Sequence, residues 1–145
     1  MNWKKETQEI RLRKRLAKKQ GGKKAIALQH TKGRLTLRER IDKLIDKGSF
    51  QEQGEIAGGS EVSDQGEITS FTPANFILGF AKINGRQVVV GGEDFTVKGG
   101  SPNPAGLRKS VYTEELALAY KIPLIRLHEG GGGSVAGPGK KGKGY

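Results

Sequence analysis

The sequence predicts a mixed α/β domain, with strands and helices alternating along the chain, on three observations. Two apolar runs, residues 76–83 and 87–90, are joined by Asn84-Gly85-Arg86. Asn-Gly tolerates the positive φ of a tight turn, so the pair reads as a β-hairpin. A helical pattern over Ala105 to Tyr120 and a short apolar run from Pro123 to Leu127 follow, and strand, helix, strand in that order describe a βα unit. That unit opens into the Gly-rich turn Glu129-Gly130-Gly131-Gly132-Gly133-Ser134.

Each element has a local reason. Residues 3–20 set Ile10, Leu12 and Leu16 among Lys, Arg, Gln and Glu, which favours a helix with a thin apolar stripe lying on something larger. Gly21-Gly22 breaks it, and a short segment leads to Thr36-Leu37-Arg38-Glu39, a Thr-x-x-Glu capping box. Leu37, Ile41, Leu44 and Ile45 continue a second helix that Gly48 stops. From Glu52 to Thr72 the chain is polar and Gly-rich, and reads as loop with one short strand near Glu55 to Ala57. The runs Phe76-Ile77-Leu78 and Val88-Val89-Val90 are apolar on successive residues, so burial on both faces is expected. Asp94 to Val97 reads as a further strand and Gly99-Gly100-Ser101 as a turn. In the helix over 105–120, Leu107, Val111 and Leu118 keep to one face, and Pro104 suits its first turn.

Charge is uneven: 16 Lys+Arg against 5 Asp+Glu lie in residues 1–50, and 10 of each lie in residues 51–145. The division is therefore a basic N-terminal helical segment, 1–50, followed by the start of an α/β domain, 51–145. Without cysteine there is no disulfide framework, thiolate zinc site or thiol nucleophile. No apolar run approaches the roughly 18 residues of a membrane span, and the basic N-terminus lacks a signal peptide's apolar core. The chain reads as cytoplasmic, with no membrane partner.

Several motifs are partial. Gly137 to Gly142 satisfies G-x-G-x-x-G and Gly137 to Lys143 begins a phosphate-binding loop, but both need a strand before and a helix after, and Gly144 replaces the Mg²⁺-binding hydroxyl. Gly132-Gly-Ser134-Val-Ala136 is one residue short of a nucleophile elbow, with too little chain beyond it for a triad. His128 reads as a strand-end residue, and His30 as too isolated for a metal pair. The run Arg11 to Arg15 with Lys18, Lys19, Lys23 and Lys24 has the charge of a nucleic-acid surface, but Trp3 is the one aromatic nearby for stacking. A solvated helix face, or a site for a smaller polyanion, is the better reading. The Gly-rich turn gives glycine a chemical reason: backbone N–H groups without side chains can converge on a developing oxyanion, each donor worth roughly 3 kcal/mol of barrier.

Together these segments resemble one family. Gln29-His30-Thr31-Lys32-Gly33-Arg34-Leu35-Thr36-Leu37-Arg38-Glu39-Arg40-Ile41, followed by Asp46-Lys-Gly48-Ser49-Phe50, is similar to the opening of the carboxyltransferase (beta) subunits of acyl-CoA carboxylases of the propionyl-CoA and methylcrotonyl-CoA type. Ile83 to Arg86, Asp94 to Ser101, and the Pro123-Leu-Ile strand with its acidic, Gly-rich turn occur in the same order. The family turn usually reads acidic-Ser-Gly-Gly-Ala-Arg; here the paired glycines are kept and the Arg is not.

The resemblance implies a crotonase-like (ClpP/crotonase) fold of repeated ββα units, incomplete here, and transfer of a carboxyl group from carboxybiotin to the α-carbon of an acyl-CoA. It implies Gly131 and Gly132 as catalytic amides at the start of the next helix, no metal, and no side-chain base, the biotin anion taking the α-proton. Without a biotinylation sequence, biotin is expected on a partner, a biotin carboxylase or biotin carrier subunit, and the full-length form is expected to be a homo-oligomer. Family chains are several times longer, so the sequence reads as truncated, with no activity alone and with the faces of 76–78 and 88–90 poorly covered. The rival expectation is a non-enzymatic module binding nucleic acid or a partner through its basic segment.

Overall fold

The computed structural model describes residues 3–130. It is a mixed α/β structure of three N-terminal helices, a four-stranded sheet, a separate hairpin and one long helix. The helices are α1 (Lys4–Ala17), α2 (Lys23–Thr31) and α3 (Leu37–Leu44). The sheet takes β1 (Gln51–Gln53), β4 (Phe76–Ile83), β5 (Arg86–Glu93) and β6 (Leu124–Leu127) in that order, with β2 (Gly58–Val62) and β3 (Ile68–Pro73) paired apart from it. α4 (Pro104–Tyr120) crosses from β5 to β6, which run parallel, whereas β1, β4 and β5 alternate in direction.

Thr36 caps α3 through the reciprocal box: its hydroxyl accepts from Glu39 N, while Glu39 Oε2 accepts from Thr36 N at 2.7 Å. Asn84 and Gly85 have φ of 50° and 76°, and both their N–H groups donate to the Asp46 carboxylate, at 2.9 and 2.8 Å. The hairpin is thus tied to the chain just beyond α3.

The sheet is buried on both faces. Ile77, Ala81, Val88 and Val90 meet Leu37 and Ile41 of α3 on one side; Phe76, Leu78 and Val89 meet Leu116 and Ala117 of α4 on the other. Alternate side chains of a strand point to opposite faces, which is why uninterrupted apolar runs occur here. The expectation that residues 76–78 and 88–90 are poorly covered is corrected: Leu78, Val89 and Val90 are fully buried by the two helices. Leu37 and Ile41 precede residue 50, so the N-terminal segment supplies two of the six buried residues of that core.

Three further expectations change. The segment after Gly22 is α2, in which Ala25-Ile26-Ala27-Leu28 carries good helix formers. Residues 55–57 form a turn rather than a strand, and the polar stretch beyond them holds the β2–β3 hairpin, closed by Ser63 N donating to Glu67 O at 2.8 Å. Residues 94–97 also form a turn, because Asp94 Oδ1 accepts from both Thr96 N (3.0 Å) and Thr96 Oγ1 (2.6 Å), and such local side-chain bonds compete with a ladder. Leu107, Val111 and Leu118 do keep to one face of α4, and it is the outer, exposed one. The inner side is Gly106, Lys109, Thr113, Leu116 and Ala117. Gly106 sits so close to Asn75 that this face, and not the more apolar one, rests on the sheet.

Candidate functional site

In open α/β sheets the parallel strands place functional groups beyond their carboxyl ends. Here β5 and β6 end side by side, Gly92 opposite Leu127, and two connections leave that edge: residues 94–103, leading to α4, and His128-Glu129-Gly130.

Asn75 organises the first connection. It is buried, its Nδ2 donates to Gly100 O (3.1 Å) and Ser101 O (2.8 Å), and its own carbonyl accepts from Asp94 N. Lys98, Gly99 and Gly100 are consecutive residues with positive φ in a single 3-10 turn. Asn103 then caps α4, its Oδ1 accepting from Gly106 N at 2.7 Å, which is the N-cap chemistry expected of asparagine. Thr96 Oγ1 also accepts from Gly21 N, fastening the α1–α2 break to this connection.

The second connection is held from the N-terminal helices. Gln29 near the end of α2 is buried, and its Nε2 donates to Glu129 Oε1 at 2.8 Å. Arg34 Nη1 reaches the same oxygen at 3.4 Å, and Arg40 Nη1 stands 3.8 Å from Oε2. Arg40 Nη2 donates to His128 O at 3.4 Å. On the other side Arg126 lies 5.0 Å above the Phe76 ring, donates to Ser110 Oγ at 2.8 Å and pairs with Glu114 and Glu93. Glu93 is also 3.5 Å from His128 Nδ1.

Beside the first connection a groove of about 510 Å³ runs between the β2–β3 hairpin and the start of α4. Gly59, Ser70 and Thr72 line one wall and Lys98, Ala105 and Arg108 the other, with Glu61 also present but bonded to Ser70. Its size is that of a small-molecule site, and its two cations suit an anionic ligand.

Further in, α1 covers a charged cluster. Arg38 makes a two-pronged pair with Glu52 at 2.8 and 2.9 Å, and Lys14 and Lys18 each lie 3.5 Å from Glu55. Lys109 shares a recess of about 10 Å³ with Arg38, Glu52, Glu55 and Asp94. Burial pushes the Asp94 carboxyl above its usual range and pushes Lys109 down to about 8, although Glu52 and Glu55 pull the lysine the other way. Between pH 8 and the ordinary lysine value the unfolded chain therefore binds more protons than the folded one, so stability rises with pH across that window. Lys109→Met is expected to raise stability by up to about 3 kcal/mol at pH 7, a gain that shrinks as pH rises from 8 towards 10. Urea unfolding at pH 7, 9 and 10 checks it; a pH-independent loss would show the lysine to be a favourable partner of Glu52.

The catalytic expectation, Gly131 and Gly132, lies outside the described residues, as do Ser134 and the 137–143 loop. His128 directly follows β6 with an exposed side chain, and His30 Nε2 bonds both oxygens of Glu39 at 3.0 Å, which holds that carboxyl below its usual range. Among the described residues no three of His, Cys, Asp or Glu gather as a metal site, and no helix is long and apolar enough to cross a membrane. Gln29, Arg34, Arg40, Asn75 and Lys109 were not anticipated. Three of them fall within the 29–41 block, but nothing in its spacing shows that it reaches Glu129.

Comparison with known proteins places these features. Residues 28–142 match the carboxyl transferase domain family. The propionyl-CoA carboxylase beta chain of Cereibacter sphaeroides is 35% identical over 130 residues, covering 88% of this chain and 25% of that one. The mitochondrial propionyl-CoA carboxylase beta chain of Homo sapiens is 35% identical over 131 residues, 88% of this chain and 24% of its own length. Among solved structures, transcarboxylase 12S with methylmalonyl-coenzyme A and methylmalonic acid bound superposes with a TM-score of 0.75 at 29% identity, covering 89% of this chain and 25% of that one. The chain thus spans about a quarter of the length of these relatives.

Proposed function

Since the chain belongs to the carboxyl transferase domain family, we propose that it supplies the acyl-CoA side of a biotin-dependent acyl-CoA carboxylase's carboxyltransferase site. The observation that carries the reading is the continuous match over residues 28–142, which takes in the Glu129–Gly130 turn and both connections at the strand ends. In this reading β4, β5 and α4 are one ββα unit of a crotonase-like fold, α3 packs as part of the same domain, and the groove beside Lys98 and Arg108 takes the phosphate-bearing part of the acyl-CoA.

The second substrate is carboxybiotin on a partner, a biotin carboxylase or biotin carrier subunit, and it supplies the carboxyl group. What this chain contributes is position and charge stabilisation. Backbone N–H groups of Gly131 and Gly132 donate to the thioester oxygen as it gains negative charge, which favours loss of the α-proton. Among the described residues the two carboxylates at the strand ends are engaged, Glu93 by Arg126 and Glu129 by Gln29 and the two arginines, so the reading assigns the α-proton to the biotin anion and not to a carboxylate here. The assembly reading is a homo-oligomer that docks the biotin-bearing partner.

Calorimetric titration of the chain with propionyl-CoA at 0.15 M salt tests the reading. Saturable binding is expected, weakened by Lys98→Ala and Arg108→Ala. Binding of a DNA duplex that falls steeply with salt, with no affinity for propionyl-CoA, would favour the basic nucleic-acid module instead.

A further inference from the structure

We infer that Gln29, Arg34 and Arg40 form a positioning clamp that acts through Glu129 to set where the Gly-rich turn begins; the inference rests on the proposed carboxyltransferase reading. Four polar contacts from one short stretch of chain converge on two successive residues 88 to 100 positions away, His128 and Glu129. Both parts of the turn's entry are held: the Glu129 carboxylate from three directions, and the His128 carbonyl by the second arm of Arg40.

The supports are themselves rigid. Gln29 is 6% exposed, and its carbonyl accepts from Lys32 N and Arg34 N, so the loop carrying Arg34 wraps back onto it. Arg40 rides on α3, whose Leu37 and Ile41 are 1% exposed in the core, with Leu127 of β6 packed against the same cluster. The Glu129 side chain keeps only 15% exposure and Gln29 6%, so their hydrogen bond is sheltered from water, while Arg34, 56% exposed, contributes a screened pair. An acid at this point fixes the strand exit, whereas a run of glycines alone would leave it free to wander. A misplacement of one ångström at a donor is enough to lose most of its effect on a developing charge.

The distinguishing consequence is selective. The clamp lies on the opposite connection from the phosphate-binding groove, so its loss should spare affinity for CoA and remove the part of binding that depends on the thioester carbonyl. The test uses the full 145-residue chain with CoA and [1-¹³C]propionyl-CoA as probes. Wild type is expected to prefer propionyl-CoA over CoA and to move the bound carbonyl resonance downfield. Arg40→Ala and Gln29→Leu should each reduce that preference by about fivefold, one ordinary hydrogen bond's worth, and return the resonance towards its free position. Arg40→Lys, able to reach one acceptor of the two, should fall between. Ile41→Val controls for lost stability: it should lower the melting temperature while leaving preference and resonance unchanged.

If Arg40→Ala and Gln29→Leu keep both the preference and the resonance, the clamp is overturned while the carboxyltransferase reading stands. If wild type binds neither probe, the reading fails and takes the clamp with it. Equal effects from Ile41→Val would also overturn the inference, since any loosening of the fold would then suffice.

Discussion

Replacing Gly106 with alanine is expected to lower stability by about 3 kcal/mol or more, although alanine ordinarily favours a helix. A Cβ at this position would collide with Asn75 Oδ1. Asn75 cannot swing aside without abandoning the carbonyls of Gly100 and Ser101, which it holds in a buried site. The alternative is for α4 to back away from β4 and β5, opening the face where Leu116 and Ala117 cover Phe76, Leu78 and Val89. Overpacking of this kind costs about 1–3 kcal/mol, and stranding a buried polar group adds about 1–3 kcal/mol. Urea unfolding should show a lower midpoint with an unchanged slope. Gly59→Ala, where a Cβ would meet nothing within 4 Å, provides the contrast and should be nearly silent. Equal losses in the two variants would mean that crowding against Asn75 is not the cause.

Gly106 also explains what was legible in the sequence. Signals that depend on neighbours in the chain read through: the Thr36–Glu39 box, the Asn84-Gly85 turn and the doubly buried runs of β4 and β5 all stand where their local chemistry puts them. Leu107, Val111 and Leu118 do share one side of α4, but helical periodicity says which residues share a side, and not which side the sheet takes. That choice is made by Asn75, thirty-one positions earlier. The turn at 94–97 was missed for a related reason: Asp94 and Thr96 bond each other in preference to a neighbouring strand.

At the site, the run of glycines after Glu129 is plain in the sequence, whereas the groups that gather on Glu129 are not. Gln29 and Arg40 look like ordinary helix-surface residues until β6 brings Glu129 to them. Lys109 likewise sits in a helix as an unremarkable cation, and only the fold, which closes Ala17, Arg38, Glu52 and Ile77 around one recess with it, produces the burial that pulls its proton affinity down. Long-range electrostatics of this sort leave no period or spacing in a sequence.

The turn itself carries the largest expected effect on activity. If Gly131 and Gly132 offer their amides to the thioester oxygen, valine at either position should lower kcat by roughly 10²-fold or more in the enzyme complex to which this chain contributes. Two causes add. Valine tolerates positive φ poorly, so a turn that uses that region is displaced, and its branched side chain keeps the ligand from approaching the backbone closely. KM for the acyl-CoA should change far less, because the oxygen gains its charge only on the way to the transition state and contacts made there alone appear in kcat. Lys140→Ala and Lys143→Ala should leave kcat nearly intact, since the phosphate-loop pattern they belong to lacks its hydroxyl at Gly144. Steady-state carboxyl transfer, with acyl-CoA and the biotin-bearing partner varied separately, decides it. Silent glycine variants beside lysine variants that abolish turnover would reverse the assignment, moving the anion site from the turn after β6 to residues 137–143.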